Sequence, residues 1–252
     1  MSIQIITGDC RDVLSQFPDE HFDCILTDPP YGETSLEWDR WQTGWPKAAR
    51  RVLKRTGSIW VFGSMRMFLD NVGEFTGWRF AQDVVWEKHN GSGFHADRFK
   101  RVHECAAQFY RDDAPWADVY KAPQFTNDAT ARTVRRRQKP THTRAIGCNN
   151  DASLYSSEDG GPRLMRSVIY ARSEHGRAEH PTQKPIAIVE PLLLYACPPG
   201  GLVLDCFAGS GTTGVVARRH GINAVLIEAK PEFEAIARRR LETDAPLLGA
   251  VA

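Results

Sequence analysis

Four consecutive residues, Asp28-Pro29-Pro30-Tyr31, carry the most specific chemistry in the chain. They follow an apolar run, residues 22–27, with the composition of a buried strand. Open α/β sheets bind their ligands just past the carboxyl ends of strands, which is where these residues fall. Two prolines stiffen the backbone, and Pro30 brings no amide donor to compete for the Pro29 carbonyl. The Asp28 carboxylate and the Pro29 carbonyl therefore form a rigid pair of acceptors. A conjugated amino group on a nucleobase offers two N–H donors to such a pair. Accepting both draws the nitrogen toward tetrahedral geometry and frees its lone pair for attack. Tyr31 then offers a face on which the base stacks. Taken alone, the tetrapeptide also reads as a tight turn with a packed tyrosine.

A second segment is a glycine-rich turn, Asp205-Cys206-Phe207-Ala208-Gly209-Ser210-Gly211-Thr212-Thr213-Gly214. Its glycines at 209, 211 and 214 satisfy G-x-G-x-x-G between a strand and a helix, and Glu228 closes the next strand. Glycines let a backbone approach a ligand, and an acid on the second strand suits a ribose diol. This pattern is shared by nicotinamide dinucleotides and other adenosine-containing cofactors. Asp205, four residues before the glycines, faces the place of a cationic methionine end and favours S-adenosylmethionine. The G-x-x-x-x-G-K-[ST] loop of nucleoside triphosphate sites is absent. A third feature is a basic block: Arg132, Arg135, Arg136, Arg137, Lys139 and Arg144 stand within residues 132–144 without one acid. Such a run is either a solvated loop or a set of phosphate contacts.

Three stretches of chain must position these groups. In residues 1–88, apolar runs at 3–7, 22–27, 58–62 and 81–86 alternate with helical segments at 11–16 and 45–54. From about 89 to 170 the periodicity fades, and Gly, Asn, Asp, Ser and Arg dominate. Residues 180–252 return to the α/β pattern, with helices expected at 186–197, 212–220 and 231–242 and strands at 202–204 and 223–228. Gly221 is placed to cap the helix before it. Alternating strands and helices imply a mainly parallel sheet covered on both faces. The loop 32–46 carries Trp38, Trp41 and Trp45, which either close over a bound base or pack the helix that follows.

Composition narrows the class. Lys and Arg total 32 against 31 Asp and Glu, a net charge of +1, which excludes a globally basic coat protein but not a local basic patch. Apolar runs fall far short of the ~20 residues of a membrane span. The N-terminus lacks the charged start and apolar stretch of a signal peptide. The six cysteines form no Cys-x-x-Cys, so no zinc ribbon is indicated and no metal is expected. The expectation is a soluble cytoplasmic protein with reduced thiols, without membrane contact.

Residues 28–31 and Phe207-Ala208-Gly209-Ser210-Gly211-Thr212 together resemble the DPPY and F-x-G-x-G motifs of S-adenosylmethionine-dependent DNA amino-methyltransferases. His180-Pro181-Thr182-Gln183-Lys184-Pro185 resembles the segment that precedes the cofactor motif in that family. The catalytic motif comes first and the cofactor motif last, an order similar to the beta, circularly permuted class. The resemblance implies a Rossmann-like, mixed but mostly parallel sheet with an inserted target-recognition region. It divides the chain into a catalytic part (1–110), a target-recognition region (111–170) and a cofactor-binding part (171–252).

It also implies roles. Asp28, Pro29, Pro30 and Tyr31 would be catalytic. Asp9 and Cys10 would meet the cofactor adenine and Glu228 the ribose. Residues 207–211 would wrap the methionine part, with Asp28, Thr182, Lys184, Asp205 and Thr212 close by. Trp86, Glu87, Lys88, His103 and Glu104 would line the target-base pocket. The basic block would contact double-stranded DNA, and a homodimer is the common assembly of relatives. A restriction-endonuclease partner stays open. The expected reaction is methyl transfer to the 6-amino group of a flipped adenine, since Asp rather than Ser opens the motif. The 4-amino group of cytosine is the alternative, and a nicotinamide-dependent oxidoreductase is the alternative from another class.

Overall fold

The structure is a computed structural model that describes residues 1–92, 96–135, 154–174, 176 and 182–244. The chain divides into two compact units, Met1–Ala122 with Ser167–Ala252, and Pro123–Arg166. In chain order the strands are β1 (Ile3–Thr7), β2 (Phe22–Thr27), β3 (Leu53–Gly63), β4 (Trp78–Ser92), β5 (Arg101–Arg111), β6 (Phe125–Thr126), β7 (Arg132–Arg135), β8 (Leu154–Ser157), β9 (Arg163–Leu164), β10 (Val168–Tyr170), β11 (Leu202–Asp205) and β12 (Asn223–Glu228). The helices are α1 (Cys10–Leu14), α2 (Trp45–Val52), α3 (Met65–Asp70), α4 (Ile186–Ala196), α5 (Thr212–Arg219) and α6 (Pro231–Thr243).

The larger unit is built on one eight-stranded sheet in the order β1-β12-β11-β2-β3-β5-β4-β10. Every neighbouring pair is parallel except β3/β5 and β5/β4, so β5 alone runs against the rest. A sheet of this kind needs both faces covered, because successive side chains point to opposite sides. The central strands show it. Ile25, Ile59, Val61, Leu204, Val225 and Ile227 pack with Leu14 of α1, Ala49 and Val52 of α2 and Met67 of α3. Their chain neighbours Cys24, Leu26, Trp60, Val203, Ala224 and Leu226 pack with Ile188 and Leu192 of α4 and Val215 and Val216 of α5. The expected fold class is the observed one.

Several boundaries move. Strand β3 starts at Leu53, where the sequence implied a helix reaching residue 54, and α3 was not anticipated. The largest difference is β5, which lies where periodicity was expected to fade. Its first half carries the polar residues Arg101, His103 and Glu104, and its buried centre is Ala106, Ala107 and Gln108, residues with weak strand preference. Pairing with β3 and β4, not local preference, makes it a strand.

The smaller unit, Pro123–Arg166, lies within the region expected to read DNA. Its described residues form two antiparallel pairs, β6 with β9 and β7 with β8. Residues 111–122 belong to the larger unit, tied by the Tyr120 amide donating to the Thr56 carbonyl at 2.8 Å. Among the described residues no helix is long and apolar enough to cross a membrane.

Glycine geometry at α5 yields a test. Gly211 (φ +75°) and Gly221 (φ +67°) are both left-handed, and each would be strained by any side chain. A Cβ on Gly211 would also meet the Ala237 Cβ at 2.9 Å, whereas one on Gly221 meets nothing. Gly221→Ala should therefore cost about 1–2 kcal/mol of backbone strain. Gly211→Ala should cost that plus about 1–3 kcal/mol of overpacking. Urea unfolding of both variants checks the order; equal losses would mean that α6 yields freely.

Candidate active site

The connection from β2 through α2 leads to β3 on one side, and that from β11 through α5 leads to β12 on the other. β2 and β11 are adjacent and parallel, with Leu204 beside Ile25. Their carboxyl ends thus form the switch point at which open α/β sheets leave a crevice. Residues 28–31 leave one end and the glycine turn leaves the other. The Thr27 hydroxyl joins them, donating to Asp205 Oδ1 at 2.9 Å and accepting from the Cys206 amide at 3.2 Å. The Thr213 hydroxyl donates to Asp205 Oδ2 at 2.7 Å, and the Phe207 amide donates to Oδ1 at 3.1 Å. Burial still outweighs these donors and pushes the Asp205 carboxyl up to about 6.

The turn is positive in φ at Gly209 (+50°) and Gly211. The Gly209 amide donates to Glu228 Oε2 at 2.8 Å and the Lys230 amide to Oε1 at 2.9 Å. Burial raises the Glu228 carboxyl, and these amides offset part of the rise. Arg240 of α6 straps the turn from outside, donating to the Ser210 carbonyl at 2.6 Å and hydroxyl at 2.7 Å. Every residue of the expected cofactor set except Gly211 lines one cleft against this turn. Asp9 is the least free of them: it caps α1 by accepting the Arg11 amide at 2.9 Å, and its Oδ2 holds the Arg11 guanidinium at 2.5 Å. Cys10 is buried beside it, its thiol pushed up to about 12 by burial. Trp38 and Phe233, whose rings meet edge to face at 5.9 Å, complete the aromatic wall.

A second cleft opens on the other side of residues 28–31, lined by Pro29 and Tyr31. Asp28, Pro30, Trp38, Thr182 and Lys184 border both clefts. The centre of this border is a buried ion network. Lys184 Nζ lies 2.5 Å from Asp28 Oδ2 and 3.4 Å from Glu104 Oε2. The Tyr31 hydroxyl donates to Asp28 Oδ1 at 2.7 Å and reaches Glu104 Oε2 at 3.4 Å. Lys88 pairs with Glu104 Oε1. Burial opposes the charge on Lys184, but Asp28 and Glu104 outweigh it and raise its pKa. Burial would raise Glu104, yet Lys184 and Lys88 bring it down to about 2. For Asp28, burial prevails over Lys184 and its pKa is raised.

Of the five residues expected around a target base, Lys88 and Glu104 face the second cleft. Trp86, Glu87 and His103 do not line it; Trp86 is buried and donates its indole N–H to the Ala171 carbonyl at 2.8 Å. The three loop tryptophans also divide. Trp45 is fully buried at the start of α2 and Trp41 packs on it at 5.9 Å, while Trp38 borders both clefts. Asp39 was missed: its buried carboxylate accepts the amides of Gly32, Glu33 and Thr34 at 2.8, 3.0 and 2.7 Å and folds the loop on itself. In the basic block, Arg132 and Arg135 stand on β7, with Arg132 exposed. Arg136, Arg137, Lys139 and Arg144 lie outside the described residues. Among the described residues no cluster of His, Cys, Asp and Glu could hold a metal ion.

The profile of the N6/N4 DNA methylase family matches residues 22–239, most of the chain and both motif segments. This chain belongs to that family. The type II methyltransferase M.HinfI of Haemophilus influenzae is 29% identical over 271 residues, covering 96% of this chain and 69% of its own. Among solved structures, the M1.HpyAVI complex with S-adenosylmethionine has a TM-score of 0.62 at 23% identity, covering 95% of this chain and 100% of its own. The cytosine-N4-specific PvuII DNA methyltransferase has a TM-score of 0.63 at 17% identity, covering 95% and 86%. With the DNA methylase family established, the nicotinamide reading of the glycine turn falls away.

The buried Asp205 of this DNA methylase generates a pH test. Its carboxyl titrates in the folded protein near 6, above the ordinary 3.8. A raised carboxyl contributes stability below the ordinary value and loses it as pH rises through the folded one. Asp205→Asn, which stays neutral, should therefore gain on the parent protein between pH 4 and pH 7. The gain should approach about 3 kcal/mol, from roughly 1.4 kcal/mol per pKa unit. Unfolding free energies at several pH values measure it; curves that stay parallel would refute the shift.

Proposed function

We propose that this DNA methylase transfers a methyl group from S-adenosylmethionine to the 6-amino group of an adenine flipped out of double-stranded DNA. The observation that carries the reading is the pair of clefts meeting at Asp28, Pro30, Trp38, Thr182 and Lys184. One has the glycine turn and the other has Tyr31, so a donor and an acceptor of a methyl group would meet at that border.

The first cleft fits the cofactor. Gly209, left-handed in φ and on the cleft wall, leaves the turn without a side chain where a ligand must approach. Each Glu228 oxygen accepts one amide and keeps a lone pair for a ribose hydroxyl. Phe207, Trp38 and Phe233 provide apolar walls, and Asp205 provides an acid near a cationic end. When bound, S-adenosylmethionine supplies an electrophilic methyl on its sulfonium.

The residues of the second cleft do the rest. Flipping a base costs a few kcal/mol. Stacking on Tyr31 would return roughly 1–3 kcal/mol. Asp28 and the Pro29 carbonyl accept the amino hydrogens and stabilise positive charge growing on nitrogen. Lys184 and the Tyr31 hydroxyl favour the charged form of Asp28 and hold its carboxylate in place. Asp28 Oδ is also the nearest acceptor for the proton that the nitrogen releases. The carboxylate strengthens the acceptor pair, because charge-assisted hydrogen bonds are roughly twice as strong as neutral ones, and it is the Asp at the head of the motif that supports adenine as the target. The reading assigns the smaller unit, with its basic block, to target recognition, and a homodimer is its expected assembly.

The test is incubation of duplex DNA with labelled cofactor, digestion to nucleosides and separation by mass. Label in 6-methyladenine is expected. Label only in 4-methylcytosine would move the target and keep the acceptor pair; no label would overturn the function. Asp28→Ala should lower turnover by about 100-fold or more while cofactor binding, read by calorimetry, persists. Glu228→Ala should weaken cofactor binding first. Separately, neutralising Arg135, Arg136 and Arg137 should make the slope of log affinity against log salt shallower by roughly 0.9 per lost phosphate contact. An unchanged slope would return the block to a solvated loop.

A further inference from the structure

We propose that the segment leading into β5 is a DNA wedge, in which Phe99 fills the stack vacated by the flipped base while the cations beside it hold the flanking phosphates. The proposal rests on the DNA reading above and deepens it. Phe99 is fully exposed, at 102% of its reference area, and lines the same cleft as Tyr31. An aromatic ring left wholly in water is unsatisfied in the folded protein, and stacking in a base step is one environment that would bury both its faces.

Its neighbours select the partner. Arg98, Lys100 and Arg101 flank it, and Arg66 at the start of α3 lines the same cleft. Arg66 and Lys100 make no hydrogen bond or ion pair among the described residues. The acids of the cleft are already engaged: Glu33 holds Arg101 at 3.0 Å, Asp39 holds three amides, and Asp28 and Glu104 share Lys184. Arg98 is held by the exposed Asp97 at 2.7 Å, which leaves Arg66 and Lys100 as the positive charge facing outward without an acid among the described residues. One aromatic ring among cations suits a polyanion with stacked rings; an apolar protein partner would want a broader apolar patch. The fold supplies the placement. β4 and β5 pair Glu87 with His103 and Trp86 with Glu104, which sets Glu104 beside Tyr31 and Lys88 on Glu104, while Arg98, Phe99 and Lys100, just before β5, line the same cleft.

The test compares two short duplexes carrying the site that methylation-sensitive sequencing maps. In one, the target base is paired; in the other, the position opposite it is abasic, so that opening costs less. Phe99→Ala removes an exposed side chain and should leave folding and cofactor binding unchanged. It should lower kcat/KM by about tenfold or more on the paired duplex. On the abasic duplex it should act nearly as the parent does, and Phe99→Trp should restore activity on both. Equal loss on the two duplexes, or loss on neither, overturns the wedge. A parent protein that methylates neither duplex removes the methylation reading and the wedge with it.

Discussion

The pairing of β2 with β11 is the constraint on which the site depends. It brings together two strand ends that are 178 residues apart at Thr27 and Asp205. Parallel strands cannot be joined by a tight turn, so each connection leaves through a helix, and here the two connections leave in opposite directions. The space between them is the crevice. A single threonine hydroxyl at the end of β2, donating to Asp205 and accepting from the Cys206 amide, ties the strand that leads into residues 28–31 to the start of the glycine turn. Nothing about circular order is needed for this geometry. A sheet only requires that the two strands be neighbours, whichever comes first in the chain.

The second constraint is electrostatic. A buried lysine beside a single carboxylate is a weak source of stability, because desolvation consumes most of the attraction. Lys184 has two carboxylates, and Glu104 has a second lysine in Lys88. The four groups neutralise one another as a set, so none remains as an isolated buried charge. The Lys184 carbonyl also accepts the Thr212 hydroxyl at 3.1 Å, which fastens the lysine to the first turn of α5. The same residue therefore belongs to the glycine turn through its backbone and to Asp28 through its side chain.

How much could be read in advance follows from how local each cause is. β1, β2 and β12 have matching bounds because their apolar runs sit between clear turn residues. The glycine turn and residues 28–31 could be read because their chemistry lies in consecutive side chains and prolines. β5 could not, since its polar first half and its centre of Ala106, Ala107 and Gln108 are made a strand by the neighbours on either edge. Asp39 was equally hidden: a carboxylate that collects three amides is recognisable only when the loop has closed around it. Asp9 shows the reverse. Its place on the cleft was expected, but an arginine two residues away occupies its carboxylate, a contact that i,i+2 spacing does not announce.

Asp28 joins these threads, because it is not a bare acceptor. Its Oδ2 already accepts from Lys184 and its Oδ1 from the Tyr31 hydroxyl. Each oxygen retains a further lone-pair site, so an incoming amino group need not displace either donor. The two bonds fix the carboxylate plane, and the tyrosine bond fixes the ring beside it. A planar base stacked on that ring is then restricted to poses in which its edge meets the acceptors. Burial raises the Asp28 pKa while Lys184 restrains the rise, so the carboxylate is more basic than one in water. A stronger base is a stronger hydrogen-bond acceptor, so the burial that costs the fold stability increases what Asp28 gives to a nitrogen becoming positive.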